Sequence, residues 1–273
     1  MDNRERVTLT GAQETLLATL YGRALDARAR DPILGDEQAV TAVRRIDYDF
    51  RRTGVNATTA AGVALRAKQL DDWLEEFLAA NASATVLHLA CGLDTRAHRV
   101  ARPATVRWVD VDFPEVISLR ERLLSTPDGD YTQIATSVTG EEWLEGVPAD
   151  RPTVAVFEGL TMYLREEDGR RLIERITGRF PSGELLFDVY GTMGIRLQKL
   201  VPAVRNSGAR LYWGVDDPRV IEEWHDRLVC TDSVRSVEMP GVDRLPPVGR
   251  AQMWVLARIP RLRDVGRMLR FRF

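Results

Sequence analysis

The pattern of apolar and polar positions changes once along the chain, near residue 80. Before that point apolar residues recur at helical spacing. Leu16, Leu20 and Ala24 follow a capping-box sequence at 10–13, and a second helix with one apolar face is predicted over roughly 63–80. The first 80 residues are therefore predicted to form a helical cap.

After residue 80, short apolar runs alternate with helical patterns. Runs of this length bounded by Gly, Pro and Asp are typical of strands that are buried on both faces. Strands are predicted at 85–90, 105–111, 131–135, 153–157, 184–189 and 252–257. Helices are predicted between them near 94–100, 114–124 and 166–177. Such alternation predicts an α/β fold with a doubly wound, mostly parallel sheet.

The segment 191–219 interrupts this alternation with several glycines and a proline. Open α/β sheets bind ligands at the carboxyl ends of their strands, and this segment is predicted to be a lid at that edge. We therefore expect a single domain over 1–273, divided into a helical cap (1–80), a core (81–190), a lid (191–219) and C-terminal strands (220–273).

Composition and charge exclude several classes of protein. The 38 basic and 40 acidic residues give a net charge of −2, so no nucleic-acid partner is expected. The apolar content argues against global disorder, and no apolar run is long enough to span a membrane. The polar first residues predict no secretory signal, and Cys91 and Cys230 are too few for a disulfide framework. We expect a cytoplasmic protein.

Residues 258–273 contain six arginines and one aspartate, a local charge of +5. Two interpretations are open for this segment. It is either a surface strand and tail with solvated arginines or a face for an acidic partner or a membrane.

The strongest local signal is the run VLHLACGLDTR at 86–96, in which a buried strand enters a glycine turn. A helix is predicted to begin near Asp94, a favourable N-cap residue. A dinucleotide fingerprint would need three glycines in this loop, but Ala90 stands where the first is expected and only Gly92 is present. NAD is therefore not expected, whereas a nucleoside cofactor without a pyrophosphate makes a weaker demand on the loop.

Acidic residues end two further strands. Asp110 and Asp112 lie about twenty residues after the glycine loop, where α/β folds hold ribose hydroxyls, although one of them could instead cap the helix that begins at Pro114. Glu158 leaves a wholly apolar strand, and burial of its carboxylate requires a cation. That cation is either an ammonium group on a ligand or a structural arginine.

Three motifs, LACGLDTRAHRV, WVDVDFPEV and VFEGLTMYL, resemble in their order and spacing the leucine carboxyl methyltransferase superfamily. The closer similarity is to its bacterial branch of polyketide O-methyltransferases of the tetracenomycin type. The segments ETLLATLYGRALDARARDPILGDEQAV, IDYDF and YWGVDDPRVIEEW resemble the same branch, so the resemblance covers nearly the whole chain.

The resemblance implies a class I methyltransferase (Rossmann-like) fold with a seven-stranded sheet, and S-adenosyl-L-methionine as methyl donor. It implies that Arg66 holds the cofactor carboxylate, that Asp112 binds the ribose and that Glu158 contacts the ammonium group. From the residues alone, Arg66 could equally pair with an acid on its own helix. The cofactor residues implied in full are Arg66, Ala90, Gly92, Asp112, Ser137, Val138 and Glu158, where Ser137-Val138 replaces an Asp-Leu pair found beside the adenine in eukaryotic members.

The chemical group that accepts the methyl group can be inferred from the residues that could act as a general base. A carboxylic acid, with a pKa of about 4, is ionised at neutral pH, whereas a phenol near 10 generally needs a base. His88 is predicted to lie in the core, and no His–acid pair stands at a predicted strand end. His225, next to Asp226, is the remaining candidate base, and no catalytic residue is assigned.

We therefore expect an O-methyltransferase that esterifies a carboxylate of a polyketide-like or peptide natural product. Methylation of a phenol or hydroxyl is the alternative, and a cofactor-binding protein without turnover is a third. No metal ion is predicted. Arginines could anchor an acidic small-molecule acceptor and aromatic rings could stack on it, although Trp213 also fits a packed turn. The candidate acceptor residues are Tyr21, Arg23, Tyr190, Arg205, Arg210, Tyr212 and Trp213.

Overall fold

The computed structural model describes residues 4–7 and 11–273, apart from the side chain of Ala12. Thr10 of the predicted capping box lies outside the described residues. The helices are α1 (Thr15–Ala27), α2 (Glu37–Arg45), α3 (Ala57–Ala80), α4 (Arg96–Arg99), α5 (Pro114–Leu123), α6 (Glu166–Arg179), α7 (Thr192–Arg196), α8 (Pro202–Ser207), α9 (Arg219–Glu222) and α10 (Pro247–Arg258). The strands are β1 (Glu5–Arg6), β2 (Ile46–Asp47), β3 (Thr85–Leu89), β4 (Arg107–Asp112), β5 (Asp130–Ala135), β6 (Thr153–Phe157), β7 (Gly183–Tyr190), β8 (Val229–Arg235) and β9 (Gly266–Arg272).

Within the described residues, seven strands form one sheet in the order β5-β4-β3-β6-β7-β9-β8. Strands β3 to β7 are parallel, whereas β9 runs antiparallel to both β7 and β8. The strand order reverses at β3, because β4 lies on one side of it and β6 on the other. A crevice for ligands forms at such a reversal, outside the carboxyl ends of the strands. The predicted doubly wound, mostly parallel seven-stranded sheet is confirmed.

Each face of the sheet is covered by helices because its central strands β3, β6 and β7 are buried on both faces. On one face, Leu172, Ile173 and Ile176 of α6 belong to the same core cluster as Phe157 and Phe187. On the other face, α3 packs against β6, β7 and β9, and its apolar residues share a core cluster with residues of β3 and β4. The residues of this second core include Leu70, Trp73, Leu74, Phe77, Val86, Trp108, Val154 and Val156. The helix α3 therefore belongs to the sheet as much as to the cap.

The structure corrects two predicted elements. Helix α3 begins at Ala57 rather than near 63, because the side chain of Asn56 caps it by accepting a hydrogen bond from the Thr59 N–H at 3.0 Å. The strand predicted at 252–257 is wrong, since these residues lie within α10. Short apolar runs do not distinguish strand from helix, and Pro247 occupies the first turn of α10, where proline favours a helix.

Residues 258–273 comprise the end of α10, a turn and the strand β9, and four of the six arginines are exposed, as the first interpretation expects: Arg258, Arg261, Arg263 and Arg272. The Arg270 guanidinium donates to Glu184 at 2.7 Å and to Glu76 at 2.6 Å, and Arg267 contacts Asp264. Several of the arginines are thus neutralised within the sheet and its neighbours. None of the described helices is both long and apolar enough to cross a membrane.

A buried carboxylate in β4 ties together the strands beside the crevice. Asp110 is completely buried and accepts hydrogen bonds from Trp108 Nε1 at 2.8 Å and Tyr131 Oη at 2.6 Å. It also lies 3.0 Å from His88 Nδ1 and forms an ion pair with Arg120 of α5. Burial alone would raise the pKa of Asp110, but Arg120 and the hydrogen bonds hold that pKa well below its usual range.

Arg120 carries this interaction to the loop that follows β3. Its Nη1 donates to the carbonyl oxygens of Gly92 and Asp94, both at 2.8 Å. The Asp110–Arg120 ion pair therefore holds the glycine loop in place through hydrogen bonds to its carbonyl groups.

Substitution of Asp110 by Asn leaves Arg120 buried without its ion-pair partner. We expect Asp110→Asn to lower the free energy of unfolding by about 3–5 kcal/mol at pH 7. Because the pKa of Asp110 is lower in the folded state than in the unfolded state, its contribution is present above about pH 4 and is lost as the pH falls further. Urea unfolding at several pH values should therefore show a shallower loss of stability in acid for the variant.

The control is Asp150→Asn, which removes an exposed ion pair with Arg107 (2.8 Å). Exposed pairs add little to stability, so this variant should unfold at nearly the wild-type urea concentration. An Asp110→Asn protein as stable as the wild type at pH 7 would contradict the assigned role.

Candidate active site

A cavity of about 370 Å³ opens at the carboxyl ends of β3, β4 and β6. The loop after β3, the ends of β4 and β6, and the N-terminal helices α1 and α3 surround it. The apolar residues of the segment 191–219 that line it are Val201, Ala203, Val204 and Leu211. The cavity lies at the reversal of strand order, where this type of sheet binds ligands.

The glycine loop turns sharply because two of its residues have left-handed backbone conformations. Gly92 has a φ of +51°, and Ala90, with a φ of +49°, is the one residue other than glycine with a positive φ in 4–7 and 11–273. The Gly92 N–H donates to Asp112 Oδ2 at 2.7 Å, and the Phe113 N–H donates to Asp112 Oδ1 at 2.7 Å. Each carboxylate oxygen keeps a second lone pair with which it can accept another hydrogen bond.

The pKa of the Asp112 carboxyl lies above its ordinary value. Burial raises the pKa of this carboxyl, while the Gly92 and Phe113 N–H groups act in the opposite direction.

Glu158, at the end of β6, lies between two arginines. Arg66 Nε donates to Glu158 Oε1 at 2.9 Å, and Arg96 Nη2 donates to Oε2 at 2.7 Å. Arg66 also reaches Asp188 of β7, with 3.1 Å between Nη1 and Oδ2. The sequence left two kinds of cation open for Glu158, a ligand ammonium group and a structural arginine. The structure supplies two structural arginines. Burial tends to raise the pKa of Glu158, but Arg66 and Arg96 hold it below its usual range.

The ion pairs continue beneath the cavity. Arg96 is fully buried, and its guanidinium contacts Asp71 of α3 at 2.6 Å and Asp94 at 3.1 Å. Arg99 pairs with the same two acids, each at 2.6 Å. Arg96 is a residue that sequence reasoning overlooked, although it lies within the quoted LACGLDTRAHRV motif. The sequence analysis placed Arg96 in the helix predicted near 94–100, where Asp94 and Arg99 are also charged.

Some of the predicted cofactor residues line the cavity and others do not. Arg66, Ala90, Gly92, Asp112 and Glu158 all line the cavity. Ser137 and Val138 are not among its lining residues. The Ser137 hydroxyl lies 2.8 Å from Thr139 Oγ1, and Val138 packs in the core. The cavity wall beside Asp112 is instead Phe113, an exposed aromatic residue that the sequence analysis did not single out.

Two of the predicted acceptor residues line the cavity, and the others lie outside it. Tyr190 and Arg23 line the cavity, and Arg23 is buried 3.5 Å from Asp36. Tyr21, Trp213, Arg210 and Tyr212 lie outside its lining. Tyr21 stacks on Phe50, and Trp213 packs against Trp224 in the core. The Arg210 guanidinium lies over the exposed ring of Tyr212. Arg205 is exposed and also lies outside the lining. Trp213 thus fits its structural interpretation.

The histidines are arranged differently from the sequence prediction. The prediction that no His–acid pair stands at a strand end is wrong. Parallel pairing places His88 of β3 directly opposite Asp110 of β4. Although His88 lines the cavity, its ring is buried and both nitrogens are engaged, Nδ1 with Asp110 and Nε2 with Arg96 Nη1 at 3.4 Å. His225 lies outside the cavity lining and accepts a hydrogen bond from the Arg227 N–H at 3.2 Å.

Comparison with known proteins gives consistent results. The leucine carboxyl methyltransferase family profile matches residues 16–177. The chain is 44% identical over 272 residues to the tetracenomycin polyketide synthesis O-methyltransferase TcmP of Streptomyces glaucescens, covering 98% of this chain and 99% of that protein. It is 38% identical over 240 residues to the S-adenosyl-L-methionine-dependent methyltransferase dpfgK of Gibberella zeae, covering 81% and 80% of the two chains.

Two solved structures share the fold at low sequence identity. A candidate methyltransferase from Thermobifida fusca has a TM-score of 0.57 and 18% identity, covering 92% of this chain and 93% of its own. A DUF574 family protein from Streptomyces avermitilis has a TM-score of 0.57 and 13% identity, covering 96% and 97%. The fold is that of class I methyltransferases. With the sequence matches, this makes the chain an S-adenosyl-L-methionine-dependent O-methyltransferase that belongs to the leucine carboxyl methyltransferase family.

Proposed function

We propose that the protein transfers a methyl group from S-adenosyl-L-methionine to a carboxylate of a polyketide-like or peptide natural product. The observation that carries the proposal is the chemistry of the cavity wall. It combines acids and an arginine suited to a zwitterionic nucleoside with an absence, among the described lining residues, of a histidine that is free to remove a proton. The named polyketide role of the relative from Streptomyces glaucescens supports the class of acceptor.

The residues present fit the cofactor. Arg66 has Nη2 left over from its contacts with Glu158 and Asp188, and this nitrogen lies beside Gly159 at the cavity. It would hold the carboxylate of the cofactor, and Glu158, whose oxygens each accept one arginine hydrogen bond, would use its remaining lone pairs for the ammonium group.

The nucleoside end of the cofactor would lie across the glycine loop. Asp112 would accept the ribose hydroxyls on the lone pairs that the backbone N–H groups leave unused. The close backbone turn at Ala90 and Gly92 gives the ligand room, and the ring of Phe113, rather than Ser137 or Val138, would contact the adenine.

S-adenosyl-L-methionine, when bound, supplies an electrophilic methyl group whose transfer needs alignment with the attacking oxygen more than covalent help. The chain's task is therefore to orient an acceptor that is already ionised. Tyr163 and Tyr190 line the cavity, and burial raises the pKa of both hydroxyls. Both hydroxyls remain protonated at neutral pH and cannot act as bases. The Tyr163 hydroxyl donates to Thr15 Oγ1 at 3.3 Å, so Tyr190 is the one of the two that would donate to an acceptor carboxylate.

We also propose that the segment 191–219 is a lid over the acceptor. Its residues Val201, Val204 and Leu211 form an apolar part of the cavity wall. The segment is anchored to the cap, because Asn206 Nδ2 donates to the carbonyl of Arg52 at 2.9 Å. A lid at this position would exclude water from the transferring methyl group.

The role of Asp112 can be tested with ligands that differ only in the diol. We expect the wild type to bind adenosine more tightly than 2′,3′-dideoxyadenosine, and Asp112→Asn to reduce that preference by about tenfold, roughly 1.4 kcal/mol. Competition against S-adenosyl-homocysteine in a calorimeter measures both affinities. The ligand pair is its own control, since a general distortion of the loop weakens both nucleosides alike. An unchanged preference in the variant would refute the assignment.

The lid is tested by hydrogen exchange. Amides of 191–219 should exchange rapidly in the free protein and more slowly with S-adenosyl-homocysteine and an acceptor bound, because closure orders the segment. Helix α2, which packs on α1, is the control and should change little. Strong protection of 191–219 without ligand would leave a rigid insertion instead.

The acceptor group is tested by pH and by alkali. With an aromatic polyketide carboxylic acid as acceptor, single-turnover rates should be nearly constant from about pH 6 to 9, because the carboxylate is ionised throughout. Mild alkali should release the labelled methyl group as methanol, as expected of a methyl ester. His225→Ala, outside the cavity, should show the same profile. A rate that rises with a protein base and an alkali-stable ether would instead establish hydroxyl methylation.

A further inference from the structure

A second chamber of about 320 Å³ lies beside the cofactor cavity, between α3, β7, β9 and α10. Its wall is largely apolar and carries three methionines. These apolar residues are Leu65, Met239, Leu245, Met253 and Met268. Methionine side chains adapt to ligands of irregular shape, and cavities of roughly this size hold small organic molecules.

The two spaces share one wall. Thr59, Val63 and Arg66 of α3, together with Tyr190 at the end of β7, line both the cofactor cavity and the second chamber. Arg66 and Tyr190 are also the groups expected to face the cofactor and the acceptor carboxylate. A molecule held beside them in the first cavity is therefore adjacent to the second.

The charged groups that line the second chamber have ion-pair partners in the protein, but Asp264 is shared by Arg235, Arg263 and Arg267, and Arg267 Nε is buried without a hydrogen-bond partner among the described residues. Arg66 pairs with Asp188, and Arg267 pairs with Asp264. Among the described lining residues, no guanidinium or carboxylate is left without an ionic partner. Apolar side chains make up most of the remaining wall, so a ligand with a large apolar body would bury the most surface there.

We propose that this chamber receives the distal apolar part of the methyl acceptor, while the acceptor carboxylate stays in the cofactor cavity. The inference rests on the proposed function, because it assumes that the acceptor is a carboxylate positioned beside Tyr190. It names the substrate class more closely: acceptors with an extended hydrocarbon or fused-ring body bind better than short ones.

Gly62 offers a means of closing the chamber. It lies within α3 and lines the second chamber but not the cofactor cavity. A Cβ atom built there meets no heavy atom within 4 Å. Gly62→Ala should therefore be tolerated and is the matched control, since alanine favours a helix, whereas the ring of Gly62→Phe would occupy the chamber.

The experiment uses benzoate and anthracene-2-carboxylate as probes, with the full-length protein saturated with S-adenosyl-homocysteine. Titration followed by probe fluorescence or calorimetry gives each affinity. We expect the wild type and Gly62→Ala to bind anthracene-2-carboxylate at least about tenfold more tightly than benzoate. Gly62→Phe should lose most of that difference, while its affinities for benzoate and for S-adenosyl-homocysteine stay within about twofold of the wild type.

A second variant covers the case in which Gly62→Phe does not fold, as judged from thermal unfolding. Met253→Trp fills the same chamber from α10 on the opposite wall and should have the same effect. Wild-type affinity for anthracene-2-carboxylate in a folded filling variant overturns the proposal, as does an equal loss of both probes. Failure of the wild type to bind S-adenosyl-homocysteine would count against the proposed function instead, because probe binding is measured without methyl transfer.

Discussion

The carboxylate of Glu158 and the two arginines that neutralise it determine how the cap meets the sheet. Arg66 comes from α3, Arg96 from α4, and Glu158 from the end of β6. A buried charge that loses its partner is costly, so these three elements have little freedom to move apart. Apolar packing supplies most of the stability of such a structure, whereas the ion pairs fix the relative positions of the groups that face the cavity.

The same network explains how a charged ligand can enter a largely enclosed site. The proposed cofactor carries one carboxylate and one ammonium group at its amino-acid end. Binding would add one negative and one positive charge next to Arg66 and Glu158, and the local charge would remain balanced. The cost of removing these groups from water is then offset by hydrogen bonds that are already oriented.

Sequence reasoning succeeded where a residue's position along a single strand decides its role. The central strands β3, β6 and β7 are continuous apolar runs buried on both faces, so they were predicted. Residues at the carboxyl ends of parallel strands, such as Gly92 after β3 and Asp112 at the end of β4, necessarily lie at the same edge of the sheet. It failed where the outcome depends on contacts between distant segments. The pairing of His88 with Asp110 depends on the register of two strands, and the two arginines on Glu158 come from separate helices.

Local patterns also left some elements ambiguous. Residues 252–257 are apolar enough for a strand, but a proline at the start of α10 and the antiparallel pairing of β9 with β7 decide otherwise. The contrast between Ser137, bonded to Thr139, and Phe113, exposed at the cavity, depends on how the loops after β4 and β5 turn. A motif alignment does not contain that information.

The position of β9 between β7 and β8 has a consequence for biosynthesis. The ribosome completes β8 thirty-seven residues before it completes β9, yet β9 is the strand through which β8 joins the sheet. Until β9 is made, β7 presents an unpaired edge and β8 has no place in the sheet, so the nascent chain carries a transient site for unwanted strand pairing. Pairing of β9 covers that edge and gives β8 its partner, so the seven-stranded sheet can be completed only once β9 has been made.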